Sequence, residues 1–222
     1  MIPNLLFFGE EADAQPAIKI FTDMIAANNQ IVSEDTWSAN WDSWYGAHGN
    51  GTDAVGGNGF LVSRLIQAEN IATPEARAQL VDAFVEVGAA SPLNLVGGKG
   101  VMDKDPNSTE TSVTPAWRKT IGHLTWGAAV PDKPDKITEE NWNEAALAAS
   151  DLATPIRNIT PNSGTYINES DYYEPNWEEA FFGAANYNRL KQIKQKYDPE
   201  GMFRVWNGVG GTRPESSTTA TE

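Results

Sequence analysis

The chain has 222 residues, 40% hydrophobic and 10% aromatic, which is enough to bury a core and too aromatic for a disordered segment. Its net charge is −14, and lysines and arginines are scattered apart from a short run at 189–196, so nucleic acid and anionic membrane surfaces are excluded as partners. There is no cysteine, hence no disulfide and no thiol nucleophile, and no apolar run is long enough to cross a membrane.

Residues 5–8 form a short apolar run ended by Gly9 and predict a buried strand. The first eight residues lack the basic start of a signal peptide. A helix is expected from Gln15-Pro16, with the proline in the first turn, Ile18, Phe21 and Ile25 as its apolar stripe, and Asn28-Asn29 at its end. Trp37, Trp41 and Trp44 fall on one helical face; at that spacing they read as core rather than as a sugar platform. A glycine-rich loop at 53–59 precedes a strand at 60–66 that is apolar on both faces except at Ser63 and Arg64. Thr73-Pro74-Glu75 starts a helix, whose stripe is Leu80, Ala83, Phe84 and Val87. Short strands are expected at 93–96 and 99–102, around Gly97-Gly98.

After a polar connection at 103–115, residues 119–130 alternate. Leu124, Trp126, Ala128 and Val130 take one face, and Ile121, His123 and Thr125 take a more polar, uncovered one. A turn at 131–136 leads to a helix capped by Thr138, with Glu139 and Glu140 in its first turn and Trp142, Ala145, Ala146 and Ala149 facing inward. Residues 158–175 read as irregular, and 177–197 as helix broken near Gly183, with Leu190, Ile193 and Tyr197 as an apolar ridge. Asp198-Pro199-Glu200-Gly201 fits a type I turn, and 212–222 is a polar tail expected to be disordered. Together these elements predict an α+β fold: an antiparallel sheet backed by helices, plus a C-terminal helical segment.

Site motifs are sparse. The glycine clusters at 56–59, 97–100 and 208–211 lack phosphate-loop spacing and read as turns. His48 and His123 have no metal-ligand companions, so no metal site is expected, and His123 reads as a satisfied or solvated histidine on the open face of its strand. There is no nucleophile elbow. Asn50, Asn107, Asn158 and Asn168 begin Asn-x-Ser/Thr sites, compatible equally with a secretory ancestry and with chance in an Asn- and Thr-rich chain. The residues alone therefore indicate an acidic α+β domain without a self-sufficient catalytic constellation.

An ordered C-terminal series adds a resemblance. It comprises Gly164-Thr165-Tyr166-Ile167-Asn168-Glu169, Glu174-Pro175-Asn176-Trp177, Phe181-Phe182-Gly183, Asn186-Tyr187-Asn188-Arg189-Leu190, Tyr197-Asp198-Pro199-Glu200-Gly201-Met202-Phe203 and Gly208-Val209-Gly210. Upstream, Val55-Gly56, Ser63-Arg64-Leu65 and Ser112-Val113-Thr114-Pro115-Ala116-Trp117-Arg118 agree in order. This series resembles the C-terminal part of berberine-bridge-enzyme-like, FAD-linked oxidoreductases of the vanillyl-alcohol-oxidase and p-cresol methylhydroxylase superfamily, closest in flavour to the fungal isoamyl-alcohol-oxidase-like group.

The resemblance implies a substrate-domain portion at 1–160, a berberine-bridge-like returning segment at 161–211 and the tail at 212–222. It implies oxidation of an alcohol or related C–H substrate, with FAD as cofactor and oxygen as acceptor, and a place in secondary metabolism. In several relatives the returning segment reads Tyr-x-Asn-Tyr, with the last tyrosine as base. The matching positions here are Tyr166 and Asn168, implied to approach the flavin, and Glu169, which replaces that tyrosine as the candidate base. The family's main FAD-binding domain is not matched by this sequence. The expectation is therefore a truncated enzyme, inactive in isolation, or one completed by a separate FAD-binding domain. The family is often secreted. The alternative is a non-catalytic, stand-alone ligand-binding module derived from the same fold.

Overall fold

The computed structural model describes residues 9–27, 42–43, 45–46, 49, 51, 59–87, 93–105, 110–130 and 134–211. The strand expected at 5–8, the tryptophans at 37, 41 and 44, His48, the glycines at 56–58 and the tail at 212–222 lie outside them. The chain divides into two compact units, Met1–Gly56 and Gly57–Glu222.

In the first unit, α1 spans Glu11–Ala27. It starts earlier than expected, so Pro16 lies inside it rather than in its first turn. Acidic Asp13 in the first turn favours the helix N-terminus, which offsets the single backbone bond that Pro16 cannot make. Its less exposed face is Ala14, Ile18, Phe21 and Ile25, the stripe read from the sequence extended by one turn.

The second unit is built on a three-stranded antiparallel sheet in the order β1-β3-β2: β1 Gly59–Gln67, β3 Thr120–Ala129 and β2 Leu93–Leu95. Cross-strand pairing sets Arg64 opposite Leu124 and Val62 opposite Trp126, and, on the other face, Leu65 opposite His123 and Ser63 opposite Thr125. Two helices cover the first face: α2 Pro74–Val87 and α4 Glu139–Ile159. Thr73 caps α2, its hydroxyl accepting from the Ala76 amide at 3.1 Å. Thr138 and Asn141 form a reciprocal capping box on α4. Phe60, Val62, Ile66, Leu124 and Trp126 of the sheet meet Leu80, Ala83 and Val87 of α2 and Ala146, Ala149, Ala153 and Ile156 of α4. The alanines let α4 lie close to the sheet while larger residues fill the rest.

Residues 99–102 correct the expectation of a strand. They form one helical turn, α3 Lys99–Met102, because the Gly98 carbonyl accepts from the amides of Val101 and Met102 at 2.9 and 3.3 Å. Gly97 reverses the chain before it: its φ is +78°, and a Cβ would lie 1.7 Å from the Thr120 carbonyl oxygen.

After α4 the chain forms α5 Trp177–Phe182 and α6 Ala184–Tyr197, broken at Gly183 with φ +76°. Of the expected ridge, Leu190 packs inward while Ile193 is 40% and Tyr197 is 74% exposed. Asn186 and Tyr187 face inward with half-buried Leu190. The loop after α6 folds toward Lys194, whose ammonium donates to the Asp198 carboxylate and the Phe203 carbonyl, and so it leaves Tyr197 outside. The turn at 198–201 forms as expected, closed by the Gly201 amide on the Asp198 carbonyl at 3.0 Å.

Candidate functional site

The second face of the sheet is the site. The sequence suggested that this face stays open beside His123; instead the returning segment and the short 3-10 turn Pro115–Lys119 cover it there, and His123 is buried. Residues 163–166 run along the edge of β1 that faces away from β3. The Leu65 amide donates to the Gly164 carbonyl at 2.9 Å, the Thr165 hydroxyl to the Ser63 carbonyl at 2.6 Å, and the Tyr166 amide to Ser63 Oγ at 2.9 Å. The Ser163 hydroxyl donates to the Leu65 carbonyl. An edge strand's unpaired backbone is thereby satisfied. Gly164 permits the approach, since a Cβ there would lie 2.8 Å from both the Ala116 Cβ and the Ala180 carbonyl.

That anchoring delivers Tyr166, Asn168 and Glu169 to one place. Residues Ile167–Glu169 form a single 3-10 turn, closed by the Glu169 amide on the Tyr166 carbonyl at 3.0 Å. Asn168 is exposed and donates to the Tyr166 hydroxyl at 2.6 Å. Glu169 Oε2 lies 2.9 Å from His123 Nε2. The rings of Trp117, His123 and Tyr166 meet edge to face, with centroids 5.5, 5.6 and 5.7 Å apart. The alternation of β3 puts His123 on the polar face of its strand and names no partner for it. Trp117 carries no signal of its own in the sequence. Strand alternation was the available signal for His123; nothing in the sequence pointed from it to Glu169.

Burial pushes the His123 imidazole below the usual histidine range, with the Glu169 carboxylate pulling the other way. A histidine with a depressed folded-state pKa binds protons more readily when unfolded, so its contribution to stability is full above the unfolded value of about 6.5 and is lost as pH falls through the window below it. Urea unfolding between neutral pH and mildly acidic pH is expected to show this loss, and His123→Gln to flatten it. An unchanged slope in the variant would place the pH dependence elsewhere.

A second cluster, unread in the sequence, holds the segment from below. Arg64 projects to the helix-covered face, where its guanidinium donates to Thr160 Oγ1 at 2.9 Å and to the Thr160 carbonyl, and lies 3.6 Å from Glu174. Arg157 bridges Asp171 at 2.7 Å and Glu174 at 3.2 Å. Asp171 also accepts from Ser150 Oγ at 2.7 Å and from the Tyr173 amide at 2.8 Å. Asn207 donates to the Asp171 carbonyl at 3.0 Å, and Trp206 stacks on Tyr172 with centroids 4.1 Å apart. These contacts tie the start and end of the C-terminal segment to β1 and α4.

Among the described residues no group of metal-ligating side chains gathers, and no helix is long and apolar enough to cross a membrane. The donor set at the turn, an amide, a phenol, a carboxylate and an imidazole, suits the polar edge of a ring ligand. It holds no fixed cation to meet a phosphate.

Residues 165–210 match the berberine and berberine-like family. The chain is 39% identical over 105 residues to an FAD-linked oxidoreductase of Gibberella zeae, covering 45% of this chain and 17% of that protein. It is 32% identical to an FAD-linked oxidoreductase of Gibberella fujikuroi, covering 76% of this chain and 28% of that one. Against a crystal structure of a VAO-type flavoprotein from Myceliophthora thermophila the TM-score is 0.76 at 24% identity, covering 91% of this chain and 36% of the other. A second VAO-type flavoprotein of that organism gives 0.57 at 28% identity, over 68% and 27%. The chain thus spans less than a third of the curated relatives it matches. Over that part it is similar to FAD-linked oxidoreductases of the vanillyl-alcohol-oxidase and berberine-bridge type, as the C-terminal series implied, and its mixed α and β fold is theirs.

Proposed function

We propose that this chain supplies the substrate-side wall of an FAD-linked oxidase, with Glu169 as the base that takes a proton from a small-molecule substrate and Tyr166 and Asn168 at the flavin. The observation that carries this reading is the single turn that gathers a half-buried phenol, an exposed amide and a carboxylate paired to a buried histidine. The substrate class is an alcohol, amine or sugar hemiacetal, and the setting is secondary metabolism, by analogy with fungal relatives. A bound flavin would supply the hydride acceptor, with oxygen as the terminal oxidant. The chain's own part is to orient the substrate against Trp117 and Tyr166 and to hold the proton released from its hydroxyl or amine on Glu169. The site residues fit the reactive edge of the flavin alone, so the phosphates would be held by sequence of the kind that fills the rest of the relatives' length, in the same polypeptide or a separate one. In this reading 1–160 is the substrate-domain portion and 161–211 the returning segment.

Titration of the purified chain with FAD, followed by amide NMR, tests the reading. Weak binding is expected to shift the resonances of Tyr166, Asn168 and Glu169 first, and Tyr166→Ala with Asn168→Ala to abolish those shifts. Shifts confined to other regions, or none at millimolar flavin, would overturn it.

A further inference from the structure

We infer that His123 is a positioning residue for Glu169: its Nε2 anchors Oε2 of the carboxylate and leaves Oε1 as the oxygen presented to a substrate. The inference rests on the reading of Glu169 as the base and assigns the device that aims it. Four observations carry it. First, Nε2 and Oε2 are 2.9 Å apart, and both atoms are buried without another polar partner. The contact is a close N···O approach without aligned hydrogen-bond geometry, and it becomes an ion pair when the imidazole is protonated. A buried polar pair so placed is an expensive way to fill space, since an unsatisfied polar group costs about 1–3 kcal/mol. An apolar pair would serve packing better.

Second, burial is asymmetric along the carboxyl-bearing side chain: Oε2 is sequestered, while the Glu169 side chain as a whole is 28% exposed. One oxygen is therefore sequestered, and the exposure of the side chain lies elsewhere along it, where the inference places Oε1. Third, the imidazole is buried between two rings. The rings of Trp117 and Tyr166 both stand edge to face with it. Fourth, both partners are tied to the same sheet. His123 lies in the central strand opposite Leu65, and Glu169 sits on a turn whose backbone is bonded to Ser63 and, through Gly164, to Leu65. Of the groups facing His123, Glu169 and Tyr166 come from the returning segment, Trp117 from the turn before β3, and Asn94 and Leu65 from the flanking strands. Glu169 is the one carboxylate among them. Its charge is the local field that a neutral or protonated imidazole would feel.

The test reads the histidine itself. The chain has two histidines, His48 and His123, so His48→Gln leaves one ring signal for NMR titration. The His123 midpoint is expected below the ordinary value of about 6.5. Adding Glu169→Gln removes the opposing carboxylate and is expected to lower it further, on the order of 1 pH unit. Glu144→Gln, which removes an exposed carboxylate from α4 on the other face of the sheet, is the control for loss of one charge and should leave the midpoint in place. An unchanged midpoint in Glu169→Gln, or an equal movement in Glu144→Gln, overturns the pairing. The titration needs neither flavin nor turnover, so it fails independently of the flavin reading.

Discussion

Asp171→Ala is expected to lower the unfolding free energy by about 3–5 kcal/mol, the cost of breaking a buried ion pair from one side. The Asp171 side chain is fully buried and accepts from Arg157, from Ser150 and from the Tyr173 amide. Removing it strips three donors of their acceptor and leaves two guanidinium groups, Arg64 and Arg157, with one carboxylate, Glu174, between them. Burial already works against the charge on Arg64 and pulls its pKa below the usual arginine value, and Glu174 is what opposes that. Urea unfolding checks the magnitude. A loss under about 1 kcal/mol would mean that water replaces the carboxylate and that the cluster is not a structural tie. Asp171→Asn keeps the shape and some of the acceptor capacity, so its loss should be the smaller of the two.

The consequence reaches the site. Asp171 lies two residues beyond the turn at Ile167–Glu169, and Asn207 and Trp206 fold back onto the backbone of Asp171 and Tyr172. The returning segment is thus held at one end by hydrogen bonds to the edge of β1 and at the other by this charged cluster. Tyr166, Asn168 and Glu169 lie between two fixed points. The placement of the candidate base depends on residues that never approach a ligand.

What could be read from the sequence follows from range. The strands β1 and β3, the helices α2 and α4 and their threonine caps are decided by local pattern, and they appear where the pattern put them. At Lys99–Met102 four residues are too few to distinguish a strand from one helical turn, and the Gly98 carbonyl decides for the turn. The exposure of Tyr197 depends on which side of α6 the following loop takes, which Lys194 fixes and helical periodicity does not show. Arg64 looked like an interruption in an apolar strand. It is the centre of a buried cluster whose partners come from α4 and the returning segment, and periodicity carries no trace of such pairing. For the site, resemblance singled out Tyr166, Asn168 and Glu169. The alternation of β3 put His123 on the polar face, and only the fold brings it to Glu169.

The largest effect on function is expected from Glu169→Gln in flavin-loaded protein, with flavin-binding sequence of the relatives' kind supplied alongside this chain. Loss of a positioned base costs about 10²- to 10⁴-fold, and glutamine matches glutamate in size while lacking a site for the substrate's proton. Because proton removal belongs to the transition state and not to ground-state binding, kcat and kcat/KM should fall together. Anaerobic stopped-flow reduction of the flavin by an alcohol substrate isolates this step from reoxidation by oxygen. His123→Gln leaves the carboxylate but releases Oε2, so it should slow the same step by less, on the order of tenfold, through lost orientation. The order of the two effects is the discriminating result. If His123→Gln slows reduction as much as Glu169→Gln, the histidine itself takes the proton and the carboxylate positions it. If Glu169→Gln leaves the rate within about threefold of the parent, less than general-base loss allows, Tyr166 becomes the base to test next, by Tyr166→Phe.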